Sequence, residues 1–399
     1  VTAAPVAPSR HARIRSQIEA LEESKIVEVW QLGFGRQNLI PLWVGESDLV
    51  TPPFIRQAAS KALEEGRTFY SHKRGEPPLR EALLRYTNRL YGTPERPDPV
   101  DLDRIFVTSA GMNGIMMVME CLIDPGDEIV AVTPVWPNIF AAARIMGAAT
   151  KPVALTLGPQ GWHLDLDKLF AACGPRARAL FVNSPGNPTG WMMTGAEQRA
   201  VLEFCRKRGL WLIADEVYAR FVYDGRGAAP SFLEIAAPED DLVVVNSFSK
   251  PWAMTGWRLG WLTVPQKLGD ALNKVVEFNT SGTAPFLQYG ALAAIERGEG
   301  FVQEMVERCR IGRDLVFQAL QAAPRVTLAR PEAAFYAFFK VAGVTDTVRF
   351  CKDALLKADV GLAPGDAFGP GGEGCVRLCF ANSPERLSEA MRRLMPLLG

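Results

Sequence analysis

The middle of the chain alternates short β-branched apolar runs with longer amphipathic stretches. The runs 104–108, 127–132, 179–182, 210–214, 242–245 and 259–264 read as strands, and segments such as 195–209 carry apolar residues at helical spacing before stopping at a glycine. That order predicts an α/β domain with a mostly parallel sheet covered on both faces. Beyond Pro265 the pattern changes. Helical stretches over 266–278 and 300–322 precede strand signals at 325–328 and 334–339, a helix near 347–357, a strand at 376–380 and a last helix from Pro384. This predicts a smaller α+β domain, completed by an N-terminal helix near 11–23. The expected division is an arm over 1–10, a large domain over 46–285, and a small domain built from 11–45 and 286–399.

Composition narrows the classes. A chain of 399 residues is long enough for two lobes. Lys and Arg number 44 and so do Asp and Glu, so no global field draws the protein to nucleic acid or to a membrane. The longest uncharged runs, 179–196 and 278–295, are broken by polar residues, glycine and proline, which predicts no membrane span. The 7 cysteines form no CxxC pair, which argues against a disulfide framework or a zinc site and suits a reducing cytoplasm. His11, His72 and His163 fall in no metal-binding or triad pattern.

Candidate chemistry gathers around 246–261. Lys250 comes directly off an apolar run, flanked by Ser247 and Ser249 and followed by Trp252, Met254 and Trp257. Such an amine is poorly hydrated. Burial disfavours its charged form, and a neutral amine condenses with an aldehyde to a Schiff base. An average lysine is a surface residue, but here Ser247, Ser249 and Arg258 add hydroxyl and guanidinium donors suited to a phosphate ester. Lys250 is therefore the candidate anchor for pyridoxal 5′-phosphate.

Three further motifs follow predicted strands. The turn holding Ala110, Gly111 and Met112 opens a helix, where free amides and the positive dipole end suit a phosphate. Taken alone it is an ordinary helix start, and no G-x-G-x-x-G is present to suggest a dinucleotide. The loop 183–190 contains Pro185, Gly186, Pro188 and Gly190, which hold Asn187 extended with its amide open to a polar ligand. Asp215 ends an apolar run, is partly desolvated, and needs a cationic partner. That partner is either a protonated pyridine nitrogen, worth about 4 kcal/mol at ~4 Å and an effective dielectric of ~20 before desolvation, or a protein lysine or arginine.

With 41–52, 70–81 and 377–382, these ordered motifs resemble the pyridoxal-phosphate-dependent aminotransferases of the aspartate aminotransferase-like fold (fold type I, class I/II), over nearly the whole chain. The resemblance implies that Lys250 forms the Schiff base, that Asp215 pairs with the ring nitrogen, and that Tyr218 and Asn187 bond the ring's phenolic oxygen. It implies that Trp136 stacks on the ring and that Ala110, Gly111 and Met112 offer backbone amides to the phosphate beside Ser247 and Arg258. Tyr70 would reach the phosphate of a neighbouring subunit, which implies a homodimer with shared sites. Arg377, Gly45 and Asn187 would hold the substrate carboxylate. Ala110 and Met112 depart from the family, where a glycine and often a hydroxyl or lysine occur, and Pro251 directly follows the lysine. The implied reaction is ping-pong transfer of an amino group from an L-amino acid to a 2-oxo acid. A β-eliminating C–S lyase shares the scaffold, and an effector-sensing regulator would need a DNA-binding module for which the leader has no room. Side-chain selectivity is expected from Phe34, 279–283 and Tyr336, and the aromatic character of Trp30, Phe34 and Trp43 leans toward an uncharged substrate.

Overall fold

The computed structural model describes residues 14–399. The expected arm and the start of the expected first helix lie outside the described residues. Seven strands, β1 (Ile105–Thr108), β2 (Glu128–Thr133), β3 (Ala149–Ala154), β4 (Ala177–Asn183), β5 (Trp211–Asp215), β6 (Leu242–Ser247) and β7 (Gly260–Thr263), form one sheet in the order β1-β7-β6-β5-β4-β2-β3. Neighbours are parallel except at β7, which runs antiparallel to both β1 and β6.

Side chains alternate across a strand, so each interior strand feeds two cores. Val107, Val130, Leu180, Leu212 and Val244 pack into one hydrophobic cluster. Phe106, Ile129, Phe181, Ile213 and Val245 pack into another. This is why the strands read as unbroken apolar runs. The edge strand β3 is largely exposed and contains Pro152, so it carries no such run and escapes the apolar pattern. Helix Gly195–Arg208 starts in a capping box between Thr194 and Glu197 and ends at Gly209 with φ 61°, which accounts for its legible ends.

A second, antiparallel sheet holds β8 (Val326–Leu328), β9 (Tyr336–Val341), β10 (Ala363–Pro364) and β11 (Cys375–Cys379) in the order β8-β9-β11-β10. Its register pairs Tyr336 with Cys379 and Phe338 with Arg377.

The N-terminal helix differs from expectation. A short helix, Ser16–Glu19, buries none of its residues, so no packed face extends it. It lies against helix Asn138–Met146 beside the large sheet, where Arg15 donates to the Ile145 carbonyl at 2.8 Å and Arg144 to that of Ala20 at 3.1 Å. A separate helix, Lys25–Gln31, packs on Thr347–Ala358 near the smaller sheet, with Lys352 donating to Glu28 at 2.5 Å.

Candidate active site

The carboxyl ends of β4, β5 and β6 and the strands β9 and β11 border a cavity of about 320 Å³. Asp215 closes β5 with its side chain buried, 4% exposed. Its carboxylate accepts one long bond, from the Val217 amide at 3.3 Å. Burial raises its pKa to about 7, against the smaller opposing pull of that amide and of Lys250. The adjacent Glu216 is also buried, but Ser231 Oγ at 2.6 Å and the Phe232 amide at 3.1 Å satisfy it away from the cavity. Of the two acids, Asp215 is the one facing open space.

Lys250 follows β6 and is half-buried. Its amine donates to the Gly45 carbonyl at 2.6 Å and lies 5.8 Å from the Tyr218 ring centroid. Burial lowers its pKa to about 8; Arg377 and Arg258 push the same way, and Cys379 and Glu46 oppose them. Ser247 Oγ donates to the Leu259 carbonyl at 3.2 Å and accepts from the Ser249 amide at 3.1 Å, tying down the turn that carries the lysine. Arg258 is exposed at the cavity wall, has φ 52°, and donates to the Thr255 carbonyl at 2.6 Å.

The start of helix Gly111–Leu122 lies beside this turn. Gly114 is the first residue to donate backward, to the Ala110 carbonyl at 3.1 Å, so Gly111 and Met112, which line the cavity, belong to the unpaired first turn. β7 crosses directly beneath: a Cβ on Gly260 would sit 2.6 Å from the Gly111 nitrogen. Ala110 adopts φ 91°, a region that favours glycine, so its departure from the family residue carries backbone strain of about 1–3 kcal/mol.

Arg377, on β11, is 3% exposed. It donates through Nη1 to Asn187 Oδ1 at 2.9 Å and through Nη2 to the Trp43 carbonyl. Its guanidinium lies 4.7 Å from the Tyr336 ring centroid and 4.9 Å from that of Phe368, and its buried Nε has no partner. Asn187 is also fixed by its own amide, which donates to Asn183 Oδ1 at 2.8 Å. With its carbonyl oxygen held by Arg377, the side chain presents NH₂ as its free group.

Eleven of the expected residues therefore share one cavity: Gly111, Met112, Trp136, Ser247 and Arg258; Asp215, Tyr218 and Lys250; and Gly45, Asn187 and Arg377. Ala110 stands behind, capping the helix. Tyr70 does not join them, being 93% exposed. The expected selectivity residues divide. Tyr336 and Trp43 line the wall, whereas Phe34 and 279–283 do not. Trp30 and Phe34 instead pair edge to face at 4.6 Å on an exposed part of the N-terminal segment. Ile26, Val44, Glu46, Asn183 and Thr255 were not singled out in the sequence, and no local pattern distinguishes them. Among the described residues no group of His, Cys, Asp and Glu could hold a metal ion, and no helix is long and apolar enough to cross a membrane.

The family model for aminotransferase class I and II matches residues 37–394. The chain belongs to the class I and II aminotransferases. This aminotransferase is 30% identical over 385 residues to the aspartate aminotransferase of Pyrococcus horikoshii, covering 96% of each chain. It is 31% identical to aromatic-amino-acid aminotransferase 2 of Thermococcus litoralis, covering 96% of this chain and 98% of that one. The structure of the Thermus thermophilus aspartate aminotransferase with maleate superposes with a TM-score of 0.88 at 31% identity, covering 97% of this chain and all of the other. The fold is that of aspartate aminotransferase, fold type I, and the protein is a transaminase that moves an amino group between an amino acid and a 2-oxo acid. These relatives favour neither an eliminating lyase nor an effector sensor.

Proposed function

We propose that this aminotransferase works through pyridoxal 5′-phosphate anchored on Lys250. The observation that carries this reading is that a half-buried amine with lowered pKa and a buried carboxylate with no salt-bridge partner among the described residues face the same cavity. The residues present fit the group. Asp215 would hold a protonated ring nitrogen, Trp136 its face, Tyr218 and the Asn187 NH₂ its phenolic oxygen. The first-turn amides of Gly111 and Met112, with Ser247 and Arg258, would hold its phosphate. The close crossing at Gly260 supports this by keeping that helix start clear of side chain. When bound, the group supplies an aldehyde for the lysine and a ring that takes up an electron pair from the substrate Cα.

The chain's own residues supply the rest. At pH 7 an amine of pKa about 8 is roughly one-tenth neutral, against well under a thousandth for an ordinary lysine. Lys250 would thus take the proton from the substrate Cα and deliver it across the intervening nitrogen to the cofactor's former aldehyde carbon. Arg377 offers a fixed guanidinium with an unpartnered Nε to the substrate carboxylate, and its bond to Asn187 ties carboxylate binding to the cofactor side of the cavity. Asp215 faces the same cavity, where a cation would relieve its burial.

The finer reading concerns substrate, assembly and compartment. Lys250, Arg258 and Arg377 each have a task above, and the remaining wall includes Ile26, Trp43, Val44, Met112 and Ile115. This favours an uncharged amino acid over a dicarboxylic one. Phe69, Tyr70 and Phe278 are 84%, 93% and 89% exposed, an apolar surface that suits a homodimer in which Tyr70 serves the partner's site. Seven free thiols suit the cytoplasm. The test is to strip the protein of cofactor and assay amino transfer to 2-oxoglutarate from phenylalanine, methionine and aspartate. Activity should return only with added pyridoxal phosphate, and a strong preference for aspartate would overturn the substrate assignment.

A further inference from the structure

The hydroxyls of Tyr218 and Tyr336 lie 2.6 Å apart, both buried. Each carries one proton, so the bond between them consumes one and leaves the other to be placed. Tyr336 is wholly buried, and Tyr218 is its one hydrogen-bond partner among the described residues. On its other side Gly45 packs so closely that a Cβ there would stand 1.9 Å from the Tyr336 oxygen. Both residues border the cavity, but Tyr336 is 0% exposed against 3% for Tyr218, so were Tyr218 the donor, the more deeply buried Tyr336 proton would be left packed toward that glycine without an acceptor among the described residues, a cost of about 1–3 kcal/mol. With Tyr336 as donor its proton is satisfied, and the proton of Tyr218, on the cavity wall beside Lys250, is free to point inward.

We propose that Tyr336 is a positioning residue for Tyr218: it donates to the Tyr218 oxygen and thereby directs Tyr218's single proton at the ligand held in the cavity. This rests on the pyridoxal-phosphate reading above. A hydroxyl that already accepts a hydrogen bond is a stronger donor. Tyr218 so primed draws charge from the phenolic oxygen, which then competes less well for the proton it shares with the lysine-derived nitrogen. Tyr336 thus holds the lysine-linked chromophore in its deprotonated form to lower pH. The Tyr336 ring, stacked beside Arg377, fixes the direction from which its hydroxyl approaches.

The experiment is a spectrophotometric pH titration of the loaded wild type, Tyr336→Phe, Tyr218→Phe and the double variant. Tyr336→Phe keeps the ring and its stacking, so the fold is retained, which a melting curve checks. The midpoint of the colour change should rise by about half a pH unit in Tyr336→Phe, and by less when Tyr218 is already Phe. An unchanged midpoint would make the pair a packing contact, and a lowered midpoint would make Tyr218 the donor; either overturns the proposal, as does an equal shift in both backgrounds. A wild type that takes up no chromophore would instead remove the cofactor reading itself, a result separate from any difference between variants.

Discussion

Lys250 and Gly45, 205 residues apart in the chain, meet where the lysine amine donates to the glycine carbonyl at 2.6 Å. The contact joins the segment after β6 of the large sheet to the segment leading into helix Pro53–Glu64, and it packs the glycine against Tyr336. A methyl group at position 45 has no room. Gly45→Ala should move the Tyr336 hydroxyl, lower stability by about 1–3 kcal/mol in urea denaturation, and reduce kcat/KM by roughly tenfold or more. A variant with unaltered kinetics would show that the close approach is unimportant.

Asp215 makes stability depend on pH. Its folded pKa of about 7 exceeds its ordinary 3.8, so between these values the folded state binds more protons than the unfolded one. Stability from this group is therefore highest at low pH and is lost as pH rises through that window, by up to about 4 kcal/mol. Glu216, raised to about 8 by burial, adds a similar slope. Urea denaturation of cofactor-free protein near pH 5 and near pH 7.5 should show a smaller loss in Asp215→Asn than in wild type, and equal losses would contradict the assignment. Added pyridoxal phosphate should restore stability at the higher pH more in the wild type.

How much of this was legible in the sequence follows from burial. The inner strands stood out because both of their faces feed a core, and Lys250 and Asp215 stood out as polar residues ending those runs. β3 did not, because one exposed edge removes the pattern. Helices Pro53–Glu64, Pro77–Tyr91 and Pro285–Arg297 each open on a proline and were passed over, although proline in a first turn is a start signal. The bond between Tyr218 and Tyr336 spans 118 residues and joins the turn after β5 to β9, so only tertiary structure reveals it. Tyr336, expected as a selectivity residue, does line the cavity, and its contacts also place it between Arg377 and Tyr218.

Arg377 should act chiefly on the carboxylate. Arg377→Ala removes a charged donor pair and also leaves Asn187 Oδ1 and the Trp43 carbonyl without their partner. We expect kcat/KM for amino acids to fall by about a hundredfold or more, with Arg377→Lys recovering only part because it lacks the planar fork. The matching amine without a carboxylate, poorly used by the wild type, should lose far less in the two variants than the amino acid does. A loss as large for that amine would mean the arginine is merely structural.

Tyr70 is exposed and does not line its own chain's cavity, which allows a test by mixing subunits. Lys250→Ala and Tyr70→Ala are each expected to be weakly active. If Tyr70 serves the partner's site, a mixed dimer contains one site with both groups intact, and random pairing should regain about a quarter of wild-type activity. No recovery in verified mixed dimers would place Tyr70 outside the catalytic site.

The account's central claim is that one half-buried, weakly basic amine carries the chemistry. The most direct measurement is borohydride reduction of the pyridoxal-phosphate-loaded protein, followed by proteolysis and mass spectrometry. The account predicts a phosphopyridoxyl group on the peptide containing Lys250 and its loss in Lys250→Ala. An adduct on another lysine, or none on a protein that transfers amino groups, would contradict it.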